Sequence, residues 1–446
     1  MLDILKLKFA DVMLDKNFSE VLTGSFWALA ARVSATFASL LISVFVSRFY
    51  GATMLGTLAI INASFTILSI FTLFGINTSI IRLIPEYLTK FSASSAFKLF
   101  RTTQTIVIFA SICMSIFIAM FSKYIAIQIY HKPNLSHFFM FAAWFIAFRS
   151  LMDLYSQAIR GLGLIRAFAV MQFLPSFSML LILTGLTLSY HDNANPVYAQ
   201  ISAWIFTAIV GYILISVSFK KKRHIDDVIV PISYKKILAI SSPMMMTTSI
   251  HFIISQTGII LLGIFRTEAD VGFYSIAVKL STLTVFALYA INSMAATKFS
   301  ELYANGRIDE LFLLAQKSSK LIFFVTVPII FILIIFGKPL ISIAFGNEFT
   351  KAYFVLVVLI IGQFVSSTSG STGYFMNMTG NQIVFRNIMI TTGILNILFN
   401  LFFIKLFGIF GAALSSTLSL ALWNIWVLLF LKKRYGKTLC YLPFIK

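Results

Sequence analysis

Charge is scarce in this sequence, and acidic residues are its scarcest charged class. Only 11% of the 446 residues are charged, and 15 Asp and Glu stand against 35 Lys and Arg. Hydrophobic residues make up 59% of the chain, and its mean hydropathy is +0.93. This balance excludes an ordinary soluble domain. The composition therefore predicts an integral membrane protein.

Cysteines and catalytic motifs are also scarce. The chain has two cysteines, Cys113 in a predicted membrane span and Cys440 in a predicted cytoplasmic tail, so no disulfide is expected. It contains no Walker loop and no GxSxG, HExxH or CxxC motif. These absences exclude nucleotide hydrolysis and the common hydrolase and metal sites. The sequence predicts no enzyme, no cofactor and no bound metal.

Long apolar runs fill most of the chain. A helix that crosses the bilayer needs about 20 apolar residues, and the runs predict an all-α protein with about twelve transmembrane helices. The predicted spans are 22–49, 57–81, 102–122, 137–160, 167–190, 197–219, 237–264, 271–297, 319–336, 351–376, 384–407 and 409–431. The mixed charges before the first span predict a surface helix rather than a cleaved signal peptide.

The positions of the basic residues predict the orientation. With a cytoplasmic N-terminus, 25 Lys and Arg fall on cytoplasmic segments, 7 on outer segments and 3 within spans. This asymmetry predicts that both termini are cytoplasmic. The basic run at 220–224 is then a topological anchor that touches anionic lipid, not a nucleic-acid site.

Two glycine-centred matches indicate an internal repeat. The segment around Gly56 matches that around Gly272 at an offset of 216, and Gly163 matches Gly380 at 217. The repeat predicts two six-helix bundles, 1–219 and 237–431, related by a pseudo-two-fold axis along the membrane normal. A basic linker, 220–236, would join them, and a basic tail, 432–446, would follow. Such repeats place a substrate site between the halves and work by alternating access.

Two lone cations lie within predicted spans. Arg32 shares a helix face with Thr36 and Ser39, and Lys279 shares one with Thr282 and Tyr289. Because a charge at the membrane centre costs about 3 kcal/mol, such residues usually face a water-filled cavity or a partner. These six residues are the predicted substrate site, in which Arg and Lys would bind a phosphate or pyrophosphate. The alternative is that Arg32 snorkels to the cytoplasmic headgroups or bonds to backbone carbonyl groups.

Three further residues are candidates for ion coupling. Arg149 and Asp153 are four residues apart and can pair on one helix face. They form either a structural ion pair or a protonatable site. His251 is either a helix–helix hydrogen-bonding residue or a proton relay, because His titrates near physiological pH.

Four short segments carry a resemblance to a known family. They are SRFYGATMLGTLAI after the first span, LFGINTSIIRLIPEY at the end of the second, RGLG at 160–163, and GIFGAALSS at the start of the last span. The chain resembles the polysaccharide transporter family, the Wzx-type flippases for O-antigen and other lipid-linked oligosaccharides. Their superfamily also contains multidrug exporters and lipid II flippases.

The resemblance implies a flippase of the bacterial inner membrane. It would carry an undecaprenyl-pyrophosphate-linked oligosaccharide, as in lipopolysaccharide assembly, from the cytoplasmic to the outer leaflet through a cationic central cavity. An H⁺ or Na⁺ gradient would drive it, and a polysaccharide polymerase complex is a possible partner. Arg32 and Lys279 match cavity cations of related flippases, although Lys279 stands where Arg is usual.

Two other functions stay open on the sequence alone. A multidrug exporter of the same fold would need membrane carboxylates to hold organic cations, and Asp153 is the one available. A non-transporting scaffold for polysaccharide assembly would have no reason to place lone cations in its spans.

Overall fold

A computed structural model of the protein describes residues 16–190, 192–222, 230 and 233–441. All regular elements in these ranges are helical. The helices are α1 (Lys16–Leu73), α2 (Ile76–Lys90), α3 (Ala93–Tyr124), α4 (Leu135–Ala143), α5 (Ile146–Gly161), α6 (Ile165–Ser189), α7 (Asn195–Lys222), α8 (Tyr234–Phe265), α9 (Glu268–Ser281), α10 (Phe286–Ala304), α11 (Ile308–Phe345), α12 (Ala352–Ser369), α13 (Thr372–Met378), α14 (Gln382–Phe407) and α15 (Ile409–Tyr435). A π-helical turn (Ile125–Ile129) follows α3, and 3₁₀ turns (Thr282–Val285 and Asn347–Lys351) precede α10 and α12.

The prediction of an all-α, multi-pass membrane protein is confirmed. Within the described ranges, nine helices are long and apolar enough to cross a membrane, or ten if α4 and α5, bent by 54°, form one span. The count of twelve is compatible with this, because α1 contains the first predicted span and most of the second, and α8 covers the seventh. Most of the predicted surface helix at the start of the chain and most of the basic linker lie outside the described residues.

A sharp kink at Gly51 folds α1 back on itself. Gly51 has φ 76° and ψ −179°, a conformation that only glycine adopts without strain. Ser39 and Thr66 would be about 40 Å apart on a straight helix. Both nevertheless line one cavity of about 340 Å³. The kink therefore brings two predicted spans to the same site.

The backbones of α1 and α9 meet at two glycines, Gly56 and Gly272. A Cβ atom added at Gly56 would lie 1.6 Å from the carbonyl oxygen of Glu268, and one at Gly272 would lie 2.4 Å from that of Ala52. Only glycine permits this approach. The two glycines matched by the sequence repeat therefore also contact each other.

A second close crossing joins α2 and α8, toward the predicted cytoplasmic side. A Cβ atom at Gly75, just before α2, would lie 2.3 Å from the carbonyl oxygen of Ser241. The buried hydroxyls of Ser79 and Ser241 are 2.7 Å apart. Helices before and after the basic linker thus pack together at two levels.

The apolar core forms two clusters. The larger contains buried residues from α1 to α15, including Phe65 and Trp204, while the smaller gathers around Phe299, Phe312 and Phe375. The larger cluster includes residues on both sides of the linker. The division into two six-helix bundles stays a prediction.

Candidate substrate cavity

Lys279 lies on α9, close to the end of that helix. The start of α9 is defined by a capping box, in which the Asp270 amide donates to the Thr267 hydroxyl (3.2 Å) and the Thr267 amide donates to the Asp270 carboxylate (3.4 Å). Lys279 Nζ donates to Ser43 Oγ at 2.6 Å and points at the Ser39 carbonyl oxygen at 3.5 Å. The ammonium group is therefore held against α1, and no described carboxylate pairs with it.

A cavity of about 340 Å³, partly open to the surroundings, adjoins this ammonium group. Five helices contribute to its wall: α1, α6, α7, α8 and α9. The side chains of its described lining are aliphatic or polar, without an aromatic ring, and Lys279 is the one charged residue among them. The cavity can therefore hold a polar ligand with a local negative charge.

Arg32 lies outside the lining of this cavity. Its guanidinium carbon is 3.7 Å from the centroid of the Tyr289 ring, a cation–π contact between α1 and α10. Arg32 is exposed, and it precedes Ser39 by seven residues, about 10 Å along the helix. Among the described residues, no carboxylate forms an ion pair with it.

The six residues of the predicted substrate site thus fall into three groups. Ser39 and Lys279 line the cavity together, and Arg32 and Tyr289 stack on each other. The hydroxyl groups of Thr36 and Thr282 donate to carbonyl oxygens of their own helical turns at 2.9 and 2.7 Å. Neither threonine lines the cavity.

Arg149 and Asp153 form the ion pair that their spacing predicts. Arg149 Nη1 lies 2.6 Å from Asp153 Oδ2, and the two side chains are 18% and 32% exposed. The pair borders a small second cavity of about 30 Å³, to which Asn77 and Thr66 also contribute. Because Thr66 lines both cavities, the ion pair lies next to the main one. The backbone of His251 belongs to α8, but its side chain lies outside the described residues.

Three carboxamide residues in the main cavity were not among the residues predicted from shared helix faces. Asn62 lies on α1, Gln200 on α7 and Gln256 on α8. Asn62 Nδ2 donates to Gln200 Oε1 at 3.1 Å. The only available signal is that each is an uncharged polar residue within an apolar run. That signal does not say which way a side chain points.

A basic residue near the α1 kink contacts the end of α11. Arg48 Nε donates to the Ala344 carbonyl oxygen at 3.0 Å, and Nη2 donates to that of Ser342 at 3.4 Å and to that of Ile343. The last carbonyl groups of a helix lack partners within it and carry partial negative charge. Arg48 therefore joins α1 to α11 on the predicted outer side.

Lys132 makes a similar contact between the loop before α4 and the end of α8. Its Nζ donates to the carbonyl oxygens of Arg266, at 2.6 Å, and of Gly263. Burial lowers the pKa of the Lys132 ammonium group, and the nearby carboxylates of Glu268 and Asp270 oppose that shift. The cation again satisfies helix-end carbonyl groups.

The described residues contain no group of three or more His, Cys, Asp or Glu side chains that could hold a metal ion.

Two curated archaeal proteins are similar in sequence. A protein of Haloferax volcanii named "Probable low-salt glycan biosynthesis flippase Agl15" is 24% identical over 230 residues, and the match spans about half of each chain, 52% of this one and 47% of the relative. An uncharacterized membrane protein of Methanocaldococcus jannaschii is 21% identical over 394 residues, which cover 83% of this chain and 75% of the relative.

Solved transporters share the fold. The lipid II flippase MurJ in an inward closed conformation superposes with a TM-score of 0.73 at 13% identity, covering 92% of this chain and 87% of MurJ. An inward-facing multidrug resistance MATE transporter of the MOP superfamily superposes with a TM-score of 0.72 at 12% identity, covering 92% of this chain and 98% of the transporter. At these identities the likeness establishes the fold and not the substrate.

The family model described as "Polysaccharide biosynthesis protein" matches residues 45–353. This match confirms the predicted resemblance to polysaccharide transporters. Since it covers more than half of the sequence, the chain belongs to this polysaccharide biosynthesis family.

Proposed function

We propose that the protein is a flippase for a polyprenyl-pyrophosphate-linked oligosaccharide, with undecaprenyl as the lipid in a bacterial inner membrane. The observation that carries this proposal is the position of Lys279, the one charged residue in the described lining of the main cavity. An ammonium group has three N–H donors, and Lys279 Nζ has two acceptors within 3.5 Å, Ser43 Oγ and the Ser39 carbonyl oxygen. The third is available to a phosphate oxygen.

Arg32 would bind the same head group nearer the cytoplasm. It lies about 10 Å from Ser39 along α1, toward the predicted cytoplasmic end, and its exposed guanidinium group is supported by the Tyr289 ring. A planar guanidinium group suits a pyrophosphate because it can donate two parallel hydrogen bonds. We infer that Arg32 receives the pyrophosphate from the cytoplasmic leaflet and that Lys279 binds it inside the cavity.

Export of organic cations is less well supported. It would need a carboxylate in the main cavity, and none of the described lining residues is acidic. Asp153 borders the neighbouring cavity and is already paired with Arg149. A non-transporting scaffold would need neither the cavity nor the cation within it.

An ion gradient is the proposed source of energy. Protonation of Asp153, or its binding of Na⁺, would release Arg149 and change the packing around Thr66, which lines both cavities. The glycine crossing beside the main cavity, at Gly56, and the one that borders the second cavity, at Gly75, are candidates for the contacts that open alternately. Cytoplasmic termini remain part of this proposal.

The test is a pair of charge-removing substitutions, Arg32→Ala and Lys279→Ala, in cells that depend on this protein for surface glycan. Because each interaction with an ionised group contributes about 1.5 to 3 kcal/mol, we expect surface glycan to fall at least about tenfold. Lys98→Ala, at an exposed position on α3, is the matched control. Full surface glycan in the double variant at normal protein level would refute the proposal. Arg32→Lys should retain part of the activity, and a loss as large as that of Arg32→Ala would indicate a structural role.

A further inference from the structure

The carboxamides of the main cavity have unused hydrogen-bonding capacity. Asn62 and Gln200 share one side-chain hydrogen bond of 3.1 Å. This leaves the side-chain oxygen of Asn62 (Oδ1) and the side-chain amino group of Gln200 (Nε2) available. Gln256 forms no side-chain hydrogen bond with any described residue. All three side chains are half-buried. Their free donors and acceptors can therefore bond to a ligand or to water in the cavity.

The chemistry of these groups selects a neutral polar ligand. A carboxamide offers both donors and an acceptor but no charge. It matches the hydroxyl and acetamido groups of a sugar, which also donate and accept. The described lining contains no aromatic ring on which a flat ligand could stack. Recognition in this part of the cavity would depend on hydrogen bonds alone.

The carboxamides and Lys279 line the same cavity of about 340 Å³, a volume at the small end of ligand sites. A ligand that uses both must carry a negative charge next to a group rich in hydroxyls. A glycosyl phosphate has this arrangement, because its first sugar is bonded directly to the phosphate.

We propose that Asn62, Gln200 and Gln256 form a sugar subsite, which binds the sugar attached to the phosphate at Lys279. This inference rests on the flippase function proposed above. The subsite reads the first sugar through its hydroxyl or acetamido groups, while Lys279 binds the charge common to all such lipids. The residues of the sugar subsite come from α1 and α7, which precede the basic linker, and from α8, which follows it. A bound sugar would therefore connect helices from before and after the linker.

The experiment compares two probes on the purified full-length protein in lipid nanodiscs. One is undecaprenyl pyrophosphate, and the other is undecaprenyl pyrophosphate that carries N-acetylglucosamine. The wild-type protein should bind the glycosylated probe about tenfold more tightly, the effect of one or two hydrogen bonds. Gln256→Leu should lose most of this preference and bind the bare probe as before. Asn62→Leu should do the same.

Gln172→Leu is the matched control, because Gln172 lies on α6, a helix that also lines the cavity, but is exposed and outside the lining. It should keep the full preference. The sugar subsite is refuted if the wild-type protein binds both probes equally, or if Gln256→Leu and Asn62→Leu retain the preference. Failure of the flippase proposal looks different: neither probe binds, or Lys279→Gln binds the bare probe as tightly as the wild-type protein does.

Discussion

The glycine crossing of α1 and α9 predicts a large effect of one methyl group. In Gly56→Ala, the new Cβ atom would lie 1.6 Å from the Glu268 carbonyl oxygen, whereas ordinary contact begins at 3.4 Å. The two helices must therefore separate by about 1.8 Å, the difference between these distances. The obstacle is backbone, so no side-chain rotation can relieve it. Because overpacking typically costs about 1 to 3 kcal/mol, we expect a destabilisation near the upper value.

Gly185→Ala is the control for this substitution. Gly185 lies within α6, and a Cβ atom there would have no neighbour within 4 Å. Since alanine favours helix more than glycine does by about 0.5 to 1 kcal/mol, this variant should be as stable as the wild-type protein or slightly more so.

The assay is thermal unfolding of both purified variants, together with surface glycan in cells. Gly56→Ala should unfold at a clearly lower temperature than Gly185→Ala. It should also export less glycan at equal protein level, because Leu55 and Leu58 beside the crossing line the cavity. Wild-type stability and export in Gly56→Ala would refute the packing argument, since it would mean that α1 and α9 do not approach this closely.

Two further substitutions test contacts around the cavity. Arg48→Ala removes the donors to the α11 carbonyl groups. Because Arg48 is exposed, this loss should lower the free energy of unfolding by about 1 kcal/mol, and Arg48→Lys should retain part of that stabilisation. Equal melting temperatures in the wild-type protein and both variants would contradict this. Asp153→Asn leaves Arg149 without its partner and should cost about 3 kcal/mol, and adding Arg149→Gln should restore stability but not glycan export. Recovery of export in that double variant would assign the pair a purely structural role.

Local sequence patterns were sufficient for much of the architecture. Hydropathy depends on composition within a short window, so an all-α membrane protein could be predicted from the sequence alone. The same holds for the pairing of Arg149 with Asp153, because residues four apart always meet on a helix face.

The residues that line the cavity could not be predicted from local sequence patterns. The spacing of Arg32 and Ser39 shows that they share a helix face. The kink at Gly51 and the rotation of each helix determine which residues that face contacts. In the fold, Lys279 reaches Ser43, whereas Arg32 meets Tyr289 outside the cavity lining.

The sequence by itself determined the membrane-spanning helices, the scarcity of acidic groups within them and the presence of basic residues such as Lys279 among their apolar residues. Only the tertiary structure decided that Asn62, Gln200 and Gln256 share one cavity with Lys279. The physical reason is that transfer of a side chain into the membrane depends on that residue and its near neighbours. The meeting of residues such as Asn62 and Lys279, which are 217 positions apart, instead depends on how whole helices pack, and many distant contacts determine that packing together.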